Sequence, residues 1–179
     1  PGYFEDPKLY WEETPFTKSK VSQLQTPQDV VQGRLDQQRS TFQQFDVDSK
    51  TQILFGDTHI HTTNSSDAFM FSLPLMHGAQ GAFPPGYACD YSRFVSQLDF
   101  YFLTDHAEAY TPERWKDAIE SIRQCNEIAM ATGIQDTFAF MGWEWTQSGI
   151  TAKTHYGHHN VLFKDYGEGD LPSRPIGAP

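Results

Sequence analysis

Two histidines and a carboxylate occupy alternate positions at the end of a short apolar run. Residues 53–56 are followed by Asp57, His59 and His61. Alternate side chains of a β-strand point to the same face, so these three groups would converge if the segment is a strand. Neutral imidazole is the commonest protein ligand for zinc, and it also suits iron, manganese and copper. The spacing therefore indicates a metal centre, although histidine pairs also occur on strand faces without any ion.

Two further apolar segments end in groups that could join such a centre. Residues 99–104 run into Asp105 and His106, and residues 138–143 run into Glu144, which stands between two tryptophans. Active sites of β/α folds assemble at the C-terminal ends of parallel strands. An ionised glutamate in apolar surroundings is costly to bury unless a cation or a hydrogen-bond donor compensates it. A metal ion would do so.

Three histidines follow in a polar segment before the last predicted strand, at positions 155, 158 and 159. One histidine in such a segment is more often solvent-facing or structural than a ligand. Three within five positions, after several other ligand-rich strand ends, favour a ligand among His155, His158 and His159.

The elements that would position these residues alternate between strand and helix from residue 51 onward. The best helix has Thr111 as its N-cap, Pro112 at its first position, an apolar stripe that includes Trp115, Ile119, Ile122 and Ala129, and Gly133 near its end. A shorter helix is predicted over 87–97, and strands over 52–61, 98–104, 138–145 and 159–163. This alternation predicts a parallel β/α sheet or barrel.

The first fifty residues differ in composition from the rest of the chain. They are polar and glutamine-rich, and only residues 28–45 could form a helix. We predict that residues 1–50 form an arm packed on the main body, which spans residues 51–179, with a mobile tail as the alternative. Large rings in a polar segment usually find an apolar groove, so the expected anchors are Tyr3, Phe4, Tyr10, Trp11 and Phe16.

Charge and hydropathy restrict the partners of the chain. Its 179 residues include 13 basic and 23 acidic ones, for a formal net charge of −10, so no nucleic acid is expected. No apolar run approaches the ~20 residues that cross a bilayer. An anionic substrate would need local positive charge, which bound metal ions supply. Three cations that could also bind a phosphate, although each could equally be a solvated surface charge, are Arg93, Lys153 and Arg174.

Cys89 and Cys125 are the only cysteines, and they lack the spacing of a structural zinc site. Any metal therefore has nitrogen and oxygen ligands. The two thiols could pair in an exported protein or remain free and buried. A periplasmic or secreted location is favoured over a cytoplasmic one.

The ordered set of motifs resembles the PHP (polymerase and histidinol phosphatase) superfamily. Its elements are His59-x-His61, Asp67 in the following polar segment, Thr104-Asp-His106, Glu144, and a histidine before a strand. The chain is more similar still to a bacterial branch known only as a domain of unknown function, over roughly residues 53–176. The resemblance implies a distorted (β/α)7 barrel that binds two or three zinc, manganese or iron ions and hydrolyses phosphate esters of small molecules.

The resemblance also implies roles for the individual side chains. His59 and His61 would bind one ion, Glu144 would bridge it to a second, and His158 rather than His159 would complete the second site. Asp67 and His106 match the positions of a third ion.

The remaining candidates would support these ligands. Asp57 and Asp105 are expected to accept hydrogen bonds from ligand histidines, because a ligating imidazole usually donates its other N–H. His155 or His159 would contact the substrate or support a ligand, and His77 is expected at the surface.

Metal-assisted hydrolysis follows from this ligand set. A hydroxide on or between two ions would attack phosphorus while the metals neutralise the charge on its oxygens. The chain lacks the later histidine and the Asp-x-His with which PHP proteins complete their site. We therefore expect that it holds only the N-terminal portion of the barrel, about four strands, and that a C-terminal segment of the same protein completes it.

Three alternatives share some of these features. An amidohydrolase also begins with His-x-His and would cleave C–N or C–O bonds. A cupin would need a glutamate soon after His61, but the next one is Glu108, and a long helix contradicts an all-β fold. A non-catalytic module could hold a sugar or a partner against Trp143 and Trp145, with structural metals.

Overall fold

Three parallel strands and one antiparallel strand form a single sheet. In the computed structural model, strands β1 (Gly56–Ile60), β2 (Phe100–Leu103), β3 (Phe138–Gln147) and β4 (Gly157–Leu162) lie in that order. β1, β2 and β3 run parallel, and β4 pairs antiparallel with β3. The chain is thus a mixed α/β structure with a curled four-stranded sheet, consistent with part of an α/β barrel. The structure describes residues 19–46, 53–73, 83–131, 133 and 136–178.

Helices connect the parallel strands. Helices α2 (Ser66–Phe71) and α3 (Pro85–Phe94) lie between β1 and β2, and α4 (Pro112–Ala131) lies between β2 and β3. A 3-10 helix at Ala107–Ala109 precedes α4, and α1 (Gln28–Gln44) precedes the sheet. Neither α2 nor the 3-10 helix was predicted. Among the described residues, no helix combines the length and apolarity needed to cross a membrane.

Helix α4 has the boundaries and the buried face that its sequence predicts. The Thr111 hydroxyl accepts the backbone N–H of Arg114 (3.2 Å) as an N-cap, and Gly133 beyond the helix end has a positive φ of 71°. The buried side chains of α4 recur every three or four residues and pack on the sheet; the largest belong to Trp115 and Ile122. This packing fixes the crossover from β2 to β3.

The direction of β4 differs from the parallel pattern that the sequence suggested. Residues 148–156 connect β3 to β4, and this segment is too short for the crossover that a parallel strand requires, which takes a dozen or more residues. The pair therefore forms a hairpin. β4 also begins at Gly157, earlier than the predicted residue 159, so His158 is part of the strand.

The described part of the N-terminal segment lies against the body through the buried Val21 and through polar contacts. The backbone N–H of Ser19 donates to Asp117 (2.9 Å), and the Thr26 hydroxyl donates to Asp136 (2.6 Å). Arg34 in α1 forms an ion pair with Asp99 (3.1 Å). The five predicted aromatic anchors lie in residues 1–18, outside the described residues.

A disulfide joins the two helices that cover the sheet, and a buried ion pair joins α3 to the segment that follows α4. Cys89 in α3 is bonded to Cys125 in α4, which decides between the two states that the sequence left open. Arg93, 1% exposed, pairs with Asp136 (2.8 Å) and donates to the Cys125 carbonyl (2.9 Å). The prediction that Arg93 could bind a phosphate is therefore wrong, because its guanidinium is enclosed and neutralised inside the protein.

Candidate metal centre

Six side chains from different elements meet at one edge of the sheet. His59 lies near the end of β1 and Glu144 in the C-terminal half of β3, His61 and His106 follow β1 and β2, Asp67 is in α2, and His158 is near the start of β4. Because β4 is antiparallel, its beginning lies at the edge where the parallel strands end. The side chains form three overlapping groups whose possible ligand atoms lie within 4.8 Å of one another: His59–His61–Glu144, His61–Asp67–His106 and His106–Glu144–His158.

Glu144 is the centre of this cluster. Only 2% exposed, it places Oε2 2.8 Å from His61 Nε2, 3.2 Å from His59 Nε2 and 3.7 Å from His106 Nδ1. Its other oxygen, Oε1, contacts His158 Nδ1. One carboxylate thus faces four imidazoles, three of them at Oε2 and one at Oε1.

His59 and His61 direct the same ring nitrogen at one point. Their rings are stacked with 4.8 Å between centroids, and the two Nε2 atoms are 2.8 Å apart. With Glu144 Oε2 they form a triangle of three potential donor atoms. Ligand atoms of a tetrahedral zinc with bonds of ~2.0–2.1 Å lie about 3.3 Å apart, so a slightly expanded triangle would fit an ion.

Asp67 joins the cluster from the first turn of α2. Its Oδ2 lies 3.3 Å from His106 Nε2, and its Oδ1 lies 3.6 Å from His61 Nδ1. His61 Nδ1 is buried and has no hydrogen-bond partner among the described residues. Asp67 therefore faces the ring nitrogens of His61 and His106 that point away from Glu144.

Thr146 is a member of the site that the sequence did not predict. Its hydroxyl donates to Glu144 Oε1 (3.1 Å) and lies 3.1 Å from His106 Nδ1 and 3.0 Å from His158 Nδ1. Thr146 is two residues after Glu144 and opposite His158 in the hairpin register. The alternation of side chains along β3 could have identified it.

Asn160 is a second unpredicted member. It pairs with Glu144 in the register of the hairpin, and its Nδ2 donates to the Thr58 carbonyl (2.8 Å) and lies 3.2 Å from His59 Nδ1. This side chain spans from β4 to β1. It therefore ties the two outer strands together beside the cluster.

The histidines stabilise the ionised form of both carboxylates. Burial alone would raise the pKa of Glu144, but the His106 charge and the His158 hydrogen bond outweigh it and hold that pKa below the ordinary value. Burial alone would also raise the pKa of Asp67, but the hydrogen bond from the Ala68 backbone N–H and the nearby His106 outweigh it and lower that pKa. Both groups are thus anionic at neutral pH and able to bind a cation.

Asp105 has a different role from the expected one. It is fully buried and accepts hydrogen bonds from the Thr62 N–H (2.6 Å), the Thr62 hydroxyl (2.7 Å) and the Ser65 hydroxyl (2.8 Å). Burial raises its pKa and these donors oppose the rise. Because its oxygens are occupied by the segment after His61, Asp105 fixes the course of that segment rather than a histidine ring.

Asp57 also departs from the prediction that it holds a ligand ring. Its Oδ1 accepts the backbone N–H of His59 (2.9 Å), which leaves the imidazole nitrogens to other partners. Asp57 is two residues before His59 in β1, a separation at which an aspartate side chain commonly accepts a backbone N–H.

The other histidine candidates lie apart from the cluster. His159 is opposite Trp145 in the hairpin, so strand alternation directs its side chain away from Glu144. Its Nε2 donates instead to the Tyr156 carbonyl (2.7 Å). His155 is exposed, with Nδ1 3.3 Å from the Gly149 carbonyl. Lys153 and Arg174 are exposed, and His77 lies outside the described residues.

An open cleft of about 1300 Å³ adjoins the cluster. His106 and Thr146 line it at the metal-ligand end. The rest of its wall includes the segment after β1, the first turn of α4 and the loop between β3 and β4, represented by Asn64, Arg114, Ser148 and Thr154. The cluster is therefore accessible to a small molecule from this side.

Part of the chain matches a known protein family. A family model described as a protein of unknown function (DUF3604) matches residues 48–112, about a third of the chain. This part contains His59, His61, Asp67 and His106 but ends before β3, so Glu144 and His158 lie beyond it. No curated protein and no solved structure matches the chain.

Proposed function

We propose that this chain carries a metal-dependent hydrolase centre of the PHP type that acts on phosphate esters of small molecules. The observation that carries the proposal is the position of Glu144, a buried carboxylate enclosed by four imidazoles. A hydrogen-bonded cluster would satisfy a single carboxylate with fewer rings. Several nitrogens directed at both of its oxygens match a carboxylate that bridges two cations.

The donor geometry favours two ions in place of three. A neutral imidazole binds one ion through one nitrogen. The group around Asp67 needs His61 and His106, and each of these also belongs to a group around Glu144. Two ions can be held together if one is bound by His59, His61 and Glu144 and the other by His106, His158 and Glu144. Asp67 would then orient the rings of His61 and His106 by accepting their second N–H.

The ligand chemistry suits zinc, manganese or iron, because all six donors are nitrogen or oxygen. When bound, such ions act as Lewis acids and activate a water molecule at neutral pH. The protein itself would hold the two ligand sets at a fixed separation, since Glu144 and Thr146 lie on a strand in the middle of the sheet. The cleft would bring the ester to the exposed side of the cluster.

We also propose that a further segment, expected to come from the same protein, pairs with the open edge of β1. In the described part of the chain β2 is the one strand that pairs with β1, whose other contact across the sheet is the Asn160 side chain at the Thr58 carbonyl. Ile53, Leu54 and Phe55 before β1 are 51%, 50% and 67% exposed. Isolated domains usually cover such edges and apolar patches. A longer version of the protein should therefore melt at a higher temperature.

The disulfide supports a periplasmic or secreted location. Disulfides persist in oxidising compartments and are rare in the cytosol. Thiol titration of denatured protein from the native host should then find Cys89 and Cys125 unreactive until a reductant is added.

The function is tested with protein reconstituted with zinc, manganese or iron and assayed on matched phosphomonoesters, phosphodiesters, carboxylic esters and amides. We expect turnover of at least one phosphate ester that requires metal and is lost in Glu144→Gln. Bound metal without turnover of any phosphate ester, in protein that includes the segment pairing with β1, would contradict the proposal. Turnover of amides alone would identify an amidohydrolase-type reaction.

A further inference from the structure

The cleft beside the metal centre contains an arginine whose donors are largely unused. Arg114 is half-buried in the first turn of α4 and donates from Nη1 to the Ala109 carbonyl (3.2 Å). Its other N–H groups have no acceptor, and its charge has no carboxylate partner, among the residues that the structure describes. The first turn of a helix disfavours a cation because of the helix dipole. Helix stability therefore does not account for an arginine at this position.

A second residue of the cleft wall has an unmatched donor, which is enclosed behind the wall. Asn64 is 5% exposed, lines the cleft, and has a buried Nδ2 with no hydrogen-bond partner in the described part of the chain. Its backbone N–H donates to the Thr62 hydroxyl (3.2 Å), which Asp105 in turn binds. The segment that carries Asn64 is thus fixed independently of any ligand. A buried donor without an acceptor destabilises the protein, so an acceptor from a ligand would be favourable.

We propose that Arg114, assisted by Asn64, binds an anionic group of the substrate that is remote from the bond being cleaved. The preferred substrates would then be small phosphate esters whose alcohol portion carries a carboxylate or a second phosphate. This inference rests on the proposed function, since it assumes that the scissile phosphate lies at the Glu144 cluster.

The dimensions of the cleft favour a remote group over the scissile phosphate. A volume of about 1300 Å³ exceeds what a phosphate occupies and is large even for a site that binds a whole small molecule. Among the six candidate ligands, only His106 lines this cleft. The bound ions would neutralise the scissile phosphate, whereas an anionic group farther along the cleft would depend on Arg114, because the other charged residue that lines this part of the wall is Glu108, an anion.

The test uses non-hydrolysable probes and therefore does not depend on turnover. Isothermal titration calorimetry on the full-length, zinc-loaded protein would compare alkylphosphonates with phosphonoalkanoates of the same chain lengths, which add a terminal carboxylate. We expect the best phosphonoalkanoate to bind about 10- to 100-fold more tightly than its partner. Arg114→Gln should abolish that preference without weakening the alkylphosphonate, and Arg114→Lys should restore part of it. Arg123→Gln removes the same charge from an exposed position of α4 and should change neither affinity.

The outcomes separate this inference from the proposed function. Equal affinity for the two probes in the wild type, or a preference that survives in Arg114→Gln, overturns the inference and leaves the hydrolase proposal standing. Equal weakening of both probes in Arg114→Gln assigns the arginine to the phosphoryl group and also overturns the inference. Failure of both probes to bind zinc-loaded wild-type protein contradicts both proposals.

Discussion

Replacing Glu144 by glutamine should remove both ions, whereas replacing Asp67 by asparagine should remove none. Glu144 supplies an oxygen to each of the two groups that can be filled together, and without it each group keeps two imidazoles. Losing a supporting residue around a ligand typically costs 10- to 100-fold in metal affinity, and we expect the loss of a charged ligand to cost about 100-fold or more. The Asp67→Asn side chain can still accept a hydrogen bond from one ring.

The assay is equilibrium dialysis against buffered free zinc followed by elemental analysis. Because a neutral imidazole binds through one nitrogen, the wild type and Asp67→Asn should retain about two ions per chain. In the same buffer Glu144→Gln should retain much less than one ion. His158→Ala should retain about one, because its half-exposed ring belongs to a single group. Glu168→Gln, which changes an exposed glutamate that belongs to none of the three ligand groups, serves as the matched control. Circular dichroism before loading confirms that each variant is folded.

Two results would refute the reasoning. Full metal content in folded Glu144→Gln would show that this carboxylate does not bridge the groups. Three ions in the wild type and two in Asp67→Asn would show that His61 and His106 each serve two ions through both nitrogens, so the limit of one ion per ring would be wrong.

Three further predictions concern individual side chains. Asp105→Asn should lower the free energy of unfolding in urea by about 2–4 kcal/mol, since several buried donors lose a charged acceptor. A Cys89→Ala/Cys125→Ala double variant should lose about 3–4 kcal/mol in the same measurement, because the bond closes a loop of 36 residues in sequence separation. His159→Ala should retain the wild-type metal content by elemental analysis, since its ring faces away from Glu144; a loss equal to that of His158→Ala would contradict this assignment.

Local patterns were sufficient to predict most elements and most of the clustered residues. Thr111, Pro112 and the apolar stripe define α4 because a cap, a first-turn proline and a repeat of three or four residues all act within one helix. His59, His106 and Glu144 could be placed at one edge because parallel strands align their ends. The preference for His158 came from the resemblance, and strand alternation now supplies a physical reason for it.

Other features depend on partners that are distant in sequence. A carboxylate that follows a strand could be expected near the site. Its hydrogen bonds could not, because Asp105 binds Thr62 and Ser65 only as a result of the path that the chain takes after β1. Arg93 has the positive charge that an anion-binding residue needs, but its burial against Asp136 depends on how α3 packs. The direction of β4 could not be predicted either, because the predicted strand bounds leave 13 residues (146–158) between β3 and β4, enough for a crossover, whereas both strands extend further and leave only 148–156.

The hairpin of β3 and β4 gives the two halves of the site different folding requirements. Glu144 and His158 are separated by 14 positions, so closing one short turn is sufficient to bring them together. His59 and His61 reach Glu144 only after both crossovers and the intervening helices have packed. Hairpins close in roughly microseconds, whereas contacts of high sequence separation form slowly. A cation present during refolding should therefore bind first at the hairpin and be recruited to the β1 histidines last.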